Sequence, residues 1–422
     1  MLNLIDQLVE RENMVIAYDR VVSNKGSAGI DKVSVSDLKR YLHEHWGTIK
    51  EQLLNGNYYP DAVKRVEIAK PSGGVRKLGI PTVIDRLIQQ SLSQILTPIF
   101  DSTFSESSFG FREGKQAIHA VSQARYYQAQ GKRWSVDIDL EKFFDNVNHD
   151  LLMGIIMKRV KDKNLLKLIR RYLQADINDK GVKIKSRKGT PQGSPLSPLL
   201  SNIMLDLLDK ELDKRGHTFC RYADDCNIYV SSKKAGERVF ESVCRFIEVK
   251  LKLKVNRDKS TVDRPWNRKF LGYSFSYHKN SRLRVSRESI KRFKQNLKQE
   301  FKSGKGRNLY FFITERLNPK IRGWINYFIY AEEKSFTQQL DSWIRRRLRL
   351  IFWRQWKRPW TRYKNLMKLG LSEETARRSA FNGRNPWWNS GQSHMNKALP
   401  KKFFDSLKLV SLVDKIYQFN RY

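Results

Sequence analysis

From Trp134 to Leu140 the chain reads WSVDIDL, an alternation that puts Val136, Ile138 and Leu140 on one side and Ser135, Asp137 and Asp139 on the other. A period of two belongs to a strand with one face on a core. Any fold open to this chain must therefore hold a sheet whose other face carries carboxylates. A second acid-bearing element lies further on. Thr218 to Tyr222 and Asn227 to Val230 read as strands around the tight connection Ala223-Asp224-Asp225-Cys226, a hairpin with two acids at its tip. If these strands are neighbours, the carboxylates of Asp139, Asp224 and Asp225 converge at one end of the sheet, and their repulsion demands neutralising cations. Taken alone, an Asp-Asp pair in a turn is an ordinary solvated hairpin tip.

Lys and Arg number 81 against 43 Asp and Glu, a formal net charge of +38 over 422 residues. Self-repulsion of that size calls for a polyanionic partner, and each Lys or Arg that meets a phosphate releases counterions. Nucleic acid is the leading partner and an anionic membrane surface the rival. The charge is uneven: residues 281–422 hold 33 of the basic and only 10 of the acidic residues, with seven of the ten Trp. Interleaved cations and flat rings suit phosphate backbones and exposed bases. A hydrophobic content of 40% is ample for the cores of about two to three domains and excludes a disordered basic tail. Cys220, Cys226 and Cys244 form no CxxC pair and only His217 lies within a few residues of any of them, too few ligands for a zinc site, which speaks for small packing residues in a reduced, cytoplasmic chain. The N-terminus carries acids in its first turns, and no segment approaches the ~20 apolar residues that span a bilayer, so no membrane partner is expected.

The chain reads as successive globular parts without repeats. Residues 1–60 form a mostly helical extension broken by the turn-rich Asn24 to Gly29. Residues 61–280 mix helices and strands. Val63 to Ala69 and Val75 to Ile80 flank Lys70-Pro71-Ser72-Gly73-Gly74 as a basic hairpin, Asp85 to Ile99 and His149 to about Ala175 read as helical, and a Gly/Pro/Ser loop, Gly189 to Pro198, precedes a helix from Leu199 to Arg215. Residues 281–360 are helical. Ser286 caps a helix whose Ile290, Phe293, Leu297 and Phe301 share a face, and the pattern returns in Ile321 to Ile329 and in Leu340 to Ile351. On the last of these, Arg345, Arg346 and Arg349 point away from the apolar stripe, and Pro359 ends the helix. Residues 361–422 read as a separate small helical, basic unit with a loop at Asn382 to Gln392.

Hard Mg²⁺ prefers carboxylate oxygens and substrate phosphates to His or Cys. Two such ions held about 3.5 to 4 Å apart activate an attacking hydroxyl and stabilise a leaving pyrophosphate, the two-metal route to a phosphodiester. The residues around the acids give this chemistry a context. Arg221-Tyr222-Ala223-Asp224-Asp225 resembles the YADD signature of reverse transcriptases. Asp139-Leu140-Glu141-Lys142-Phe143-Phe144 is similar to their first catalytic motif, with an aromatic five residues after the acid; five beyond Asp137 stands Lys142, so Asp139 is taken as the ligand and Asp137 as structural. Thr190 to Pro198 (TPQGSPLSP) resembles the loop near the templating base, and Phe270-Leu271-Gly272 the segment that grips the primer. Within reverse transcriptases the resemblance is to the bacterial group II intron-encoded reverse transcriptase and maturase. It rests on Gly26 to Asp31 (GSAGID), Lys77 to Arg86 (KLGIPTVIDR), Ser108 to Arg112 (SFGFR) and Gly323 to Phe328 (GWINYF), and extends through most of the chain.

The resemblance implies roles. Asp139 and Asp224 would be the principal ligands of two Mg²⁺ ions, with Asp225 in support. Phe144 would sit beneath the incoming sugar and reject a ribose 2′-hydroxyl, the alternative being core packing. Arg76 is the candidate clamp on the triphosphate, since a guanidinium fork matches phosphate oxygens. Lys64, Arg65 and Lys70 would add to it, unless they are a solvated basic face. Gln192 would lie near the nascent base pair. Lys259 would protonate the departing pyrophosphate, or is simply an exposed turn lysine.

The sequence also departs from the family. Members with a DNA endonuclease carry a further module with clustered His and Cys, whereas here only His394 lies beyond residue 278 and no Cys follows Cys244. A class C-like member without that module is expected. Ser194 stands where a Gly is expected after PQG. The implied architecture is α+β, a right-hand polymerase with fingers, a palm bearing the acids on an antiparallel sheet, a helical thumb and, in residues 361–422, a small basic DNA-binding unit. The implied activity is RNA-directed DNA synthesis from deoxynucleoside triphosphates on a primed RNA template. The implied partners are a group II intron RNA, whose splicing the chain would assist, and target DNA for intron mobility. Two alternatives remain open: an RNA-binding splicing factor without polymerase activity, and a reverse transcriptase of the retron or phage-defence kind.

Overall fold

The computed structural model describes residues 3–69, 74–278, 280–333 and 335–419. The fold is α+β, and the chain divides into Met1–Pro265 and Trp266–Tyr422. The first part contains the strands β1 (Val63–Ala69), β2 (Val75–Ile80), β3 (Trp134–Ile138), β4 (Ile177–Asp179), β5 (Val182–Ile184), β6 (Thr218–Tyr222), β7 (Asp225–Val230) and β8 (Thr261–Asp263).

Four of these form an antiparallel sheet in the order β6-β7-β3-β8, so the two acid-bearing elements of the sequence are hydrogen-bonded neighbours. The alternation in β3 explains why. Val136 and Ile138 are buried with Ile228 and Val230 of β7 in one core, to which the helix Lys233–Val249 contributes Val243 and Ile247. Ser232 caps that helix by accepting from the Ala235 N–H. Gly236 lets it lie close on the sheet, since a Cβ there would stand 2.5 Å from Val262 Cγ1. On β3, Asp137 Oδ1 accepts from the Ser135 hydroxyl at 2.5 Å and from Asn227 Nδ2 at 2.7 Å, which engages this acid within the sheet.

The hairpin is tighter than the sequence suggests. Asp225 is not in the turn but opens β7, opposite Tyr222 of β6, so that Ala223 and Asp224 alone make the connection. Ala223 takes φ 58°, the positive value that two-residue hairpin turns require at their first position.

A second sheet has the order β2-β1-β4-β5. The hairpin of β1 and β2 is antiparallel as expected, with Ile68 opposite Arg76, and β1 runs parallel to β4. Its tip, including Lys70, lies outside the described residues. Residues 149–175 are two helices rather than one, His149–Met157 and Lys163–Gln174, capped by Asn148 and Asp162. The helices Leu4–Leu8, Arg11–Ser23 and Leu38–Leu54 precede the sheets. Gly29 fits directly against the backbone of Thr82, where a Cβ would meet Thr82 Cα at 2.6 Å, and Arg86 donates to the Ser27 carbonyl at 2.6 Å. Two motifs that are distant in sequence, GSAGID and KLGIPTVIDR, therefore form one contact.

The second part opens with an antiparallel pair, β9 (Tyr273–Phe275) and β10 (Leu283–Val285), followed by helices. Arg287–Ser303, capped by Ser286, buries Phe293, Leu297 and Phe301; Asn318–Tyr327 buries Ile321 and Ile325; Ser335–Gln355 buries Leu340, Ile344, Leu348 and Ile351. Phe293 stacks on Trp324 with centroids 4.3 Å apart. Two expectations are corrected here. Pro359 does not end the long helix, which stops at Gln355; it occupies the first position of the next helix, Pro359–Lys368, where its missing N–H costs nothing. Arg349 does not face outward: it is buried and donates to the Leu399 carbonyl through Nε at 3.1 Å and Nη2 at 2.8 Å. Residues beyond 361 thus return to the bundle. Buried Asp341 accepts from the Leu412 and Val413 N–H groups, and Asn318 bridges Lys408 O and the Val410 N–H. Among the described residues no helix is long and apolar enough to cross a membrane.

Candidate active site

Asp139 stands just past β3, where the backbone is pinned on both sides. Its N–H donates to the Ser260 hydroxyl at 2.9 Å and its carbonyl accepts from the Asn256 N–H at 2.8 Å. Asp224, in the turn joining β6 to β7, is half-buried. Burial pushes its carboxyl up, the Asp139 carboxylate pushes it further, and the Arg76 and Arg221 guanidiniums pull it back. Two acids 85 residues apart in sequence thus act on each other, and Arg76 of β2 acts on the same group. Asp225 is exposed at the start of β7. Among the described residues no set of three or more Asp, Glu, His or Cys side chains gathers at metal-holding range. The structure couples Asp139 and Asp224 electrostatically, and Asp225 follows Asp224 directly at the start of β7.

Between the segment that follows Asp139, the β1–β2 hairpin and the loop at 189–198 lies a cavity of about 350 Å³ whose walls include Arg65, Lys142, Phe144, Lys188, Pro191 and Gln192. Phe143 takes the core position, buried and set edge-on to Phe144 at 5.2 Å, which leaves Phe144 half-buried on the cavity wall. The Phe144 carbonyl accepts from the Thr190 N–H at 2.7 Å, and the Gln192 carbonyl from the Gly79 N–H at 2.8 Å. The loop at 189–198 is therefore stitched to both the first acid's segment and β2. Gly193 has φ +114°, and a Cβ there would meet Gly79 O at 2.8 Å, so the close approach needs glycine. Ser194 points inward, its hydroxyl bonded to the Gln89 side chain, and anchors the loop.

The remaining expected residues are spread more widely. Arg65 is ion-paired to Asp179 of β4 at 3.0 Å, and Lys64 and Arg76 are exposed on the hairpin. Lys259 is exposed in the Asn256–Ser260 turn, one residue before the hydroxyl that supports Asp139.

Residues 68–275 match the reverse transcriptase (RNA-dependent DNA polymerase) family, a span that holds Arg76, Asp139, Phe144, Gln192, Asp224, Asp225 and Lys259. Residues 290–370 match the group II intron maturase-specific domain. Protein YkfC of Escherichia coli is 30% identical over 300 residues, covering 61% of this chain and 78% of that protein. The chain belongs to the reverse transcriptases with a maturase domain. The group II intron-encoded protein LtrA of Lactococcus lactis is 38% identical over 196 residues, 46% of this reverse transcriptase but only 32% of LtrA, so the match spans about a third of that relative. A solved chain titled "Partial Cas6-RT-Cas1--Cas2 complex" superposes with a TM-score of 0.39 at 26% identity over 59% of this chain and 43% of its own, too loosely to bear on the fold.

The reading of the sequence missed the residues that hold this reverse transcriptase's acids in place: Ser260 behind Asp139, and Ser108, Asn202, Asp209 and Arg221 behind Asp224. Arg221 was visible as part of the hairpin motif; a cation three residues before an acid pair, flanked on its strand by Phe219, Cys220 and Tyr222, is the signal that marks it as buried and paired.

Proposed function

We propose that the chain is an RNA-directed DNA polymerase that extends a DNA primer on an RNA template with deoxynucleoside triphosphates and two Mg²⁺ ions. The same chain would bind a group II intron RNA, assist its splicing and, with target DNA, support its mobility by target-primed synthesis. The observation that supports the reading is the sheet order, which sets Asp139, just past β3, beside the β6–β7 hairpin whose turn carries Asp224, with Asp139 and Arg76 both acting electrostatically on Asp224. Asp224, raised by burial and further by the Asp139 carboxylate, is poised for a divalent cation, and an oxygen-only donor set fits hard Mg²⁺. When bound, the ions supply a lowered pKa for the primer 3′-hydroxyl and charge stabilisation for the leaving pyrophosphate. Asp139 and Asp224 would hold them, with Asp225 in support.

The chain's own residues would do the rest. Arg76 would grip the triphosphate through its planar fork, with Lys64, Lys70 and Arg65 adding positive field. Phe144, on the cavity wall, would occupy the space that a ribose 2′-hydroxyl needs. Gln192, in the loop stitched to β2, would face the nascent base pair, and Lys259 would donate a proton to the pyrophosphate. A cytoplasmic setting is supported by three cysteines that are all buried and unpaired. The test is extension of an annealed DNA primer on an RNA template by purified protein with Mg²⁺. Template-dependent extension is expected, and a folded protein that extends nothing would remove the polymerase activity and leave an RNA-binding splicing factor.

A further inference from the structure

Arg221 is completely buried, and each of its five N–H donors has an acceptor. Nε donates to Asp209 Oδ1 at 2.7 Å, and Nη2 to Asp209 Oδ2 at 2.5 Å and to the Ser108 hydroxyl at 2.7 Å. Nη1 donates to Asn202 Oδ1 at 3.1 Å and to the Ala223 carbonyl at 2.9 Å. Asp209 and Asn202 lie on the helix Ser197–Lys214, Ser108 on the SFGFR segment, and Ala223 in the turn itself. One guanidinium thus joins three separate pieces of chain.

The Ala223 carbonyl belongs to the peptide unit that leads into Asp224, so whatever orients it orients the Asp224 Cα. Ala223 sits at φ 58°, a region that L-residues other than Gly and Asn visit rarely and only where surroundings hold them. The surroundings here are specific. The Phe109 N–H donates to the Arg221 carbonyl at 2.8 Å, and the Arg221 N–H donates to the Ser107 carbonyl at 2.9 Å. Asn202 Nδ2 donates to the Gly110 carbonyl at 2.8 Å, and a Cβ at Gly110 would stand 2.3 Å from the Ala223 nitrogen. The backbone of SFGFR is therefore seated against the turn, with Arg221 locking it there.

We propose that Arg221 is a positioning residue: through the Ala223 carbonyl it sets where Asp224 stands relative to Asp139, and so how tightly the pair binds divalent metal. This rests on the metal-dependent polymerase reading. Fold maintenance alone would account for a buried Arg-Asp pair, but not for a donor reserved for the strained turn.

The two roles separate in a double variant. Arg221→Met with Asp209→Leu replaces the ion pair by apolar groups of similar volume, an exchange that buried pairs often tolerate, while it abolishes the bond to Ala223. Arg221→Lys is the second variant: it keeps a cation for Asp209 and gives up the fork. Each is compared with wild type by thermal unfolding, by Mn²⁺ binding to the metal-free protein followed by electron paramagnetic resonance, and by the Mg²⁺ concentration for half-maximal primer extension. Folded variants are expected to bind Mn²⁺ about tenfold more weakly and to need about tenfold more Mg²⁺, as when partners behind metal ligands are removed. Wild-type Mn²⁺ affinity in either folded variant would overturn the proposal. Wild-type protein that binds Mn²⁺ but extends no primer, with both variants still losing the ion, would refute the polymerase reading and uphold the positioning role.

Discussion

On one side of the candidate site, the turn that carries Asp224 is held by a buried guanidinium with every donor engaged, and Asp139 is bonded through both backbone groups. On the other, the β1–β2 hairpin presents exposed Lys64 and Arg76, and Ile68 and Val75 are about half exposed at 49% and 50%. The contrast matches two tasks. Carboxylates that must approach one another against repulsion need a rigid scaffold whose geometry is fixed at folding. Cations that meet a mobile, highly charged triphosphate can take their final position from the ligand, because the ligand supplies the counter-charge. Elements with few buried contacts and exposed hydrogen bonds open most readily, which would suit a hairpin that, on the proposed function, admits and releases nucleotides.

The sharpest break would come from Asp224→Ala. Loss of a metal-holding carboxylate removes several kcal/mol of transition-state stabilisation, so primer extension should fall by about a thousandfold or more while intron RNA binding stays within about twofold. Equal loss of both would mean that the acid side serves the whole fold rather than the chemistry. Next in size is stability. Arg221→Ala strands the Asp209 carboxylate in the core and should cost about 3 to 5 kcal/mol in urea unfolding. Arg65→Ala, which breaks a partly exposed pair with Asp179, should cost at most about 1 kcal/mol. Similar losses at both sites would erase the distinction drawn here.

Arg76→Ala should leave the unfolding transition in place and raise KM for deoxynucleotides by about 10- to 100-fold, the worth of one or two charge-assisted hydrogen bonds, with Arg76→Lys recovering part of it. Phe144→Ala should relax selection against ribonucleotides by about tenfold, measured as the ratio of kcat/KM for the two sugars. Unchanged selectivity would return Phe144 to the core against which Phe143 already packs.

The two sides also differed in how well the sequence announced them. The alternation of 134–140 was legible because burial on one face imposes a period of two, and that placed Asp139 correctly at the end of a strand. The turn was legible as a hairpin but two residues too long, because only the positive φ of Ala223 lets two residues close it. β4 and β5, three residues each, are too short for any period to show. What no periodicity can reveal is a partner remote in the chain. The acceptors of Arg221 lie 12, 19 and 113 residues away, and that of Arg349 lies 50 away, so the first was read only as part of a motif and the second was placed on the wrong face.

The smallest effect concerns the ground beneath the hairpin. Asp85, in the helix that follows β2, is buried and accepts from the Tyr58 and Tyr172 hydroxyls, from Thr82 Oγ1 and from the Asp61 N–H. Burial pushes its carboxyl up to about 6, against partial relief from the Thr82 and Tyr58 hydrogen bonds. Its pKa in the unfolded chain stays near 3.8, so between about pH 4 and 6 the folded state binds more protons than the unfolded one. Stability contributed by this group is then fully present below about pH 4 and declines as pH rises through about 6. In urea unfolding followed from pH 4 to 7, the stability of wild type minus that of Asp85→Asn should fall across this window and level off above it. A difference that stays flat would mean that the four donors keep the carboxylate ionised throughout, and that the base of the exposed hairpin is as electrostatically settled as the turn around Asp224.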